Sequence, residues 1–285
     1  MSLTGWLARR VAQSGRLGFT DMYHPGFRER RTLGLLYLWL FGTPELGRFA
    51  GGLLLNRALA GRSVSSILDA GCGDCTYSLY LATRLPLARV KGVDIGINGL
   101  HTATPKLQLG REIRQDLGLH NAVFEQADIA LFVEPEAFDF ILCLDVLHYI
   151  PNTRRVLQNF YQSLRRGGTL LLRVPDKLQR RILYKAFTAQ YDTWADAEQK
   201  GRHYDMDSLA ADLTTIGFQI TDAFFDMSLW GRLSFELREA LSYWRVPLSA
   251  TLLLLPFLKG LRYLDAVRKH REGDGLVVIC RKPQL

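Results

Sequence analysis

Residues 67–78 read ILDAGCGDCTYS: an apolar run ending in Asp69, glycines at 71 and 73, cysteines at 72 and 75, and a polar helix start. Three chemistries suit those residue types at that spacing. A strand, a glycine turn and a helix start set backbone N–H groups where an anionic or polar ligand can sit, and small residues let it approach the main chain. A Cys-x-x-Cys in a βα unit can be a redox pair or half of a metal site. An ordinary tight turn needs only the glycines.

Two further spacings favour the first reading. Asp94 ends the next apolar run, 23 residues after Gly71, where an acid can take both hydroxyls of a ribose bound over the first strand. Asp128, in FEQADI, closes a third run, where a carboxylate can accept from an adenine amino group while neighbouring main chain supplies the rest. Three acids then stand at the carboxyl ends of three successive strands, the edge at which α/β sheets bind ligands. The redox reading lacks thioredoxin-like surroundings. A zinc site lacks two more ligands, because Cys143 and Cys280 fall in expected buried strands, so all four cysteines read as packing residues and no metal is expected. A dinucleotide-binding G-x-G-x-x-G would need glycine where Thr76 stands, and it does not ask for Asp69 or Asp128.

The elements that must position these acids follow from periodicity. From residue 64 short apolar, β-branched runs alternate with polar helical windows, which predicts a parallel sheet. Strands are expected at 66–69, 89–94, 123–126, 138–144, 169–174, 218–225 and 275–281. Helices are expected at 76–85, 99–117 and 153–164, the last closed by Gly167 and Gly168, and at 205–218, capped by Asp205 or Asp207. The fold class is α/β: a Rossmann-like sheet of seven strands, mostly parallel with an antiparallel last strand, and helices on both faces. The domain reading is a helical N-terminal region at 1–63, a core at 64–226 and 275–285, and a helical insertion at 227–274.

Charge separates these regions. Residues 1–63 hold nine Arg against three acids, residues 64–226 hold 17 basic and 20 acidic side chains, and residues 227–285 hold ten and five. Basic flanks could meet nucleic acid or an anionic membrane leaflet. TLGLLYLWLFG (32–42) and VPLSATLLLLPFLKGL (246–261) tip the balance to a membrane surface or a greasy pocket. Both are too short to span a bilayer, and Pro256 interrupts the second. No apolar stretch directly follows Met1, so no secretory leader is expected, and four Cys in 285 residues suit a reducing compartment.

The ordered motifs resemble those of the class I S-adenosylmethionine-dependent methyltransferases. ILDAGCGDC looks like their glycine-rich first motif, VKGVDIG like their ribose-binding acid and EQADI like their adenine-contacting acid. FDFILCLDVLHYIPN followed by LRRGGTLLLRVPD looks like their fourth strand, helix and fifth strand. The resemblance implies S-adenosyl-L-methionine as cofactor. It places Asp69, Gly71, Cys72 and Gly73 at the methionine end, Asp94 and Ile95 at the ribose, Asp128 and Ile129 at the adenine, and Leu144 and Asp145 beside the methyl donor. It departs from the family where Cys75 replaces a third glycine, and where His148 and Tyr149 replace a Glu-His pair.

The implied activity is methyl transfer to a lipophilic small molecule, at a hydroxyl or an activated ring carbon: a quinone, a polyketide or aryl polyene, or a lipid-linked intermediate. His148, His203 and Tyr204 are the candidates for proton handling. The N-terminal region and the insertion would form a lid over the acceptor, at a cytoplasmic location with peripheral contact to the anionic inner membrane. An inactive membrane-docked scaffold and an RNA methyltransferase are the alternatives. The absence of an NPPY-type motif after the fourth strand, where LDVLHYI stands, disfavours nucleobase amino groups.

Overall fold

The computed structural model describes residues 31–96, 106–178 and 204–284, with 16–23 and residues 3, 6, 7, 10, 11, 14, 180, 182 and 183. Among them seven strands form one sheet: β1 (Ser66–Ala70), β2 (Arg89–Asp94), β3 (Ala122–Gln126), β4 (Phe138–Leu144), β5 (Leu164–Pro175), β6 (Gln219–Asp226) and β7 (Gly275–Arg281). Their order is β3-β2-β1-β4-β5-β7-β6. β1 to β5 run parallel, and β7 lies antiparallel between β5 and β6. The eight helices named here are α1 (Arg31–Phe41), α2 (Leu46–Leu59), α3 (Thr76–Arg84), α4 (Lys106–Asp116), α5 (Thr153–Ser163), α6 (Met206–Ile216), α7 (Leu229–Tyr243) and α8 (Leu248–Ala266).

Successive side chains of a strand point to opposite faces, so the central strands serve two cores. Ile67, Phe140, Leu142 and Leu171 pack on one side with α1, α2, α3, α4 and α8. Leu68, Ile141, Cys143, Leu170 and Leu172 pack on the other with α5 and α6. The N-terminal helices and α8 therefore complete the same layer as the helices that follow β1 and β2. Lys259 of α8 ties this layer together, donating to the main-chain oxygens of Phe41 and Thr43 at the end of α1.

Two local expectations are corrected. Gly167 and Gly168 do not close α5: the helix ends at Ser163, and Leu164 is already extended. Instead they bend the start of β5. Gly167 adopts φ +76° and donates to Lys282 O at 2.8 Å, and a Cβ on Gly168 would lie 2.8 Å from Arg165 O. Pro256 does not interrupt the apolar segment either, because α8 continues through it. Asp205, not Asp207, caps α6, in a reciprocal capping box with Ser208. The expected start of the helix at 99 lies outside the described residues.

A buried chain of charges joins the insertion to the sheet. Arg173 at the end of β5 pairs with Asp226 at the end of β6 at 2.9 Å. Arg262 of α8 pairs with the same Asp226 at 2.9 Å and with Asp265 at 2.9 Å. Burial alone would raise the Asp226 carboxyl, but the two guanidiniums outweigh it and hold it below the usual range. Asp226→Ala would leave Arg173 with Asp145 alone and Arg262 with Asp265 alone, each short of one buried counter-charge. Loss of one partner from such a network costs about 3–5 kcal/mol, to be read as a fall in unfolding free energy in urea.

Candidate cofactor cleft

The turn after β1 is tied down by its own donors. The N–H groups of Gly71 and Cys72 donate to Val93 O at 2.7 and 3.1 Å, that of Cys75 to Cys72 O at 2.8 Å, and that of Gly73 to Asp94 Oδ2 at 3.0 Å. A phosphate cradle would keep these N–H groups for its ligand. Here those of Gly71, Cys72 and Gly73 fasten the turn to the end of β2. Gly71, at φ +79°, has no room for a side chain, since a Cβ would collide with Val146 after β4. Gly73, at φ +54°, faces open space.

Cys75 takes the place of a third glycine in a left-handed conformation, φ +63°. Its side chain is fully buried and turns towards α4, where Gly110 makes room: a Cβ there would lie 2.7 Å from the Cys75 Cβ and closer still to its sulfur. The glycine that leaves room for Cys75 lies on the facing helix. Cys72 is buried with its sulfur 3.8 Å from that of Cys75, and the Cys75 contact together with burial pushes its thiol up. All four cysteines are free and buried, and among the described residues no group of three His, Cys, Asp or Glu could hold a metal.

The acids gather at the carboxyl edge. Asp94 accepts from Gly73 N–H and, through its other oxygen, from Gly96 N–H at 2.9 Å, so its orientation is set while each oxygen keeps a free lone pair. Ile95 beside it is exposed. Asp128 follows β3 and accepts from Ala130 N–H at 2.8 Å. The Ile129 side chain belongs to the core, and its carbonyl receives Asn159 Nδ2. Asp69 is buried and accepts from Ser78 Oγ at 2.6 Å. Burial pushes its carboxyl up to about 7 against the Ser78 bond, with Asp74 and Asp94 adding to the rise.

After Leu144, Asp145 takes φ +57°; its N–H donates to Arg173 O at 2.9 Å and its carboxylate receives Arg173 Nη1. His148 lies on the following 3-10 turn, buried, its ring 4.0 Å from that of Tyr149. Tyr204 is corrected from candidate to core residue: it is 1% exposed, and its hydroxyl bonds Thr153 Oγ1 at 2.9 Å and Asp212 Oδ2 at 3.0 Å, beneath α5 and α6. His203 lies outside the described residues.

Sequence reasoning missed the clamp over the turn. Arg48 of α2 pairs with Asp21 at 2.7 Å and also with Asp74, while Thr20 Oγ1 meets Thr76 Oγ1 at 3.2 Å. The N-terminal region thereby holds the turn from above. Asp74 inside the motif was the available signal, but nothing in the sequence names its partner.

A family model for the methyltransferase domain matches residues 46–223. The chain belongs to this family. It is 32% identical over 112 residues to a trans-aconitate 2-methyltransferase of Rhodopseudomonas palustris, covering 39% of each chain. It is 30% identical over 135 residues to a ubiquinone biosynthesis O-methyltransferase of Pseudomonas putida, covering 47% of this chain and 53% of that one. The alignment thus spans about half or less of these curated relatives' length. Phosphoethanolamine N-methyltransferase 2 of Haemonchus contortus, solved with S-adenosyl-L-methionine, shares the fold at TM-score 0.59 and 15% identity, over 94% of this chain and 60% of that one.

The Cys75–Gly110 contact is testable. Gly110→Ala overpacks it and costs about 1–3 kcal/mol in urea unfolding. Adding Cys75→Gly returns most of that loss, a non-additivity that marks direct contact.

Proposed function

We propose that the chain binds S-adenosyl-L-methionine in this cleft and transfers its methyl group to a lipophilic small molecule, at a hydroxyl or an activated ring carbon. A quinone, a polyketide or aryl polyene, or a lipid-linked intermediate fits that description. The observation that carries the cofactor reading is Asp94, held by Gly73 and Gly96 between the glycine turn and the Asp128 loop. A carboxylate fixed through both oxygens, with acceptor capacity to spare, suits a pair of vicinal hydroxyls. Open space at Gly73 supports a ligand lying against the turn.

When bound, the cofactor would supply an electrophilic methyl on a sulfonium, whose sulfur leaves as a neutral thioether. The protein's share is then alignment and exclusion of water. Asp94 and Ile95 hold the ribose, Asp128 and the Ile129 main chain the adenine, and Asp69 the ammonium of the methionine end. Leu144 and Asp145 border the methyl, with Asp145 steadied by Arg173. His148, one short turn further on, accepts the acceptor's proton, or His203 does. The Cys75 side chain packs towards Gly110 of α4, which supports an intact cradle. Four buried free thiols suit a reducing, cytoplasmic setting.

Calorimetry is expected to show cofactor binding at about micromolar strength, near -8 kcal/mol. Asp94→Ala should abolish it or weaken it by about 2–3 kcal/mol, the cost of losing hydrogen bonds to a charged group; no binding by the unaltered chain overturns the reading.

The Asp69 carboxyl titrates at about 7 in the free protein and must be ionised to meet an ammonium. Affinity therefore rises as pH climbs from 5 to 7, by up to about tenfold per unit, and levels off above 7. Asp69→Asn should flatten this profile. His148→Ala is expected to leave affinity alone and slow transfer by about 10²–10⁴-fold if His148 is the base; an unchanged rate assigns the role to His203.

A further inference from the structure

A helix on the surface of a protein in water turns its charges outward and its apolar stripe inward. α8 buries Leu255, Leu258 and Leu261 in this way, yet it also turns its charges inward and leaves a second apolar row outside. Its charged residues face the interior: Lys259 is 7% exposed, Arg262 3% and Asp265 0%, engaged by Phe41 O and Thr43 O, by Asp226, and by Ser228 and Gly231 respectively. Its exposed positions carry Leu253, Leu254, Phe257, Tyr263, Leu264 and Val267, with Leu253 82% and Phe257 62% exposed. With Gly260, also exposed, positions 253, 257, 260, 264 and 267 repeat at spacings of four and three, a continuous row along one side of the helix.

The ends of this row have the opposite character. Trp244 and Arg245, both exposed, precede α8. Arg268, Lys269 and Arg271, also exposed, follow it; Lys269 is paired with Asp222 at 2.6 Å and the exposed Glu272 with Arg180, which leaves Arg268 and Arg271 as the cations of this end. An apolar row bounded by exposed cations and an indole is the pattern of a helix lying in the plane of a membrane interface, its apolar side at the acyl boundary and its cations at the headgroups. Among the described residues no helix is long and apolar enough to cross a membrane. A second apolar row, Leu33, Leu36 and Leu40 of α1, is exposed as well, and Lys259 joins the end of that helix to α8.

We propose that the outward face of α8 docks the protein on an anionic lipid bilayer. Charge decides for lipid over a second copy of this chain: the cations at the two ends would face one another or their own kind across a symmetric pairing, whereas anionic headgroups neutralise them. The inference deepens the lipophilic-acceptor reading and rests on it for its purpose, since docking brings the acceptor to the cleft. Flotation is read without methyl transfer, so either can fail alone.

The test is flotation of the full chain with vesicles of equal parts phosphatidylglycerol and phosphatidylethanolamine. The chain is expected to float with them, and to be released in large part at about 0.5 M salt, where screening is short-ranged. Leu253→Glu/Phe257→Glu, at exposed positions, should lower the bound fraction at least about tenfold while circular dichroism and cofactor calorimetry stay unchanged. Arg268→Glu/Arg271→Glu, which leaves the apolar row intact, should weaken flotation less and remove its salt dependence. A chain that stays at the bottom of the gradient, variants that float like the parent, or equal flotation on neutral phosphatidylcholine overturns the proposal. So does a sedimentation-detected dimer that Leu253→Glu/Phe257→Glu splits into monomers.

Discussion

Arg173 holds together parts of this molecule that the chain order keeps far apart. It leaves the carboxyl end of β5, reaches Asp145 beside the cleft with one nitrogen and meets Asp226 on β6 with another. Asp226 in turn holds Arg262 of α8. A buried guanidinium is tolerable only when its charge and its fixed fork of donors are both matched, and it fixes the relative positions of whatever matches it. The seating of the insertion on the sheet, through Asp226 and Arg262, meets that requirement.

The outward polarity of α8 is the other side of the same constraint. With Lys259, Arg262 and Asp265 all committed inside, the helix carries Leu253, Leu254, Phe257, Gly260, Tyr263 and Leu264 on its exposed side. In most surface helices the packing of an apolar stripe decides orientation. Here buried charges share the inner side with Leu255, Leu258 and Leu261, and a second apolar row remains outside.

The cleft shows a comparable exchange between rigidity and reach. The glycine turn spends its N–H groups on Val93, Cys72 and Asp94, so the turn is stiff and the acid that it grips is aimed. Above it, Arg48 with Asp21 and Asp74 fastens the N-terminal layer to the same turn. A cofactor bound there would meet a preformed surface, with little left to order on binding.

Much of this was legible in the sequence, because the signals are local. Apolar β-branched runs at regular spacing set the seven strands, with Asp94 at the end of β2 and Asp128 just after β3, and glycines 71 and 73 set the turn, since each of these follows from the conformational or burial preference of the residues themselves. The roles of Tyr204 and of Gly167 and Gly168 were not legible: a tyrosine beside a predicted helix and a glycine pair after one read alike whether they serve a site, a cap or a bend. Nor could sequence show that Cys75 finds its space at Gly110, 35 positions away, that Arg173 chooses Asp145 and Asp226, or that α8 wears its charges inside. Those outcomes depend on which side chains meet across the sheet, and the direction in which a side chain points is decided by the packing around it rather than by its neighbours in the chain.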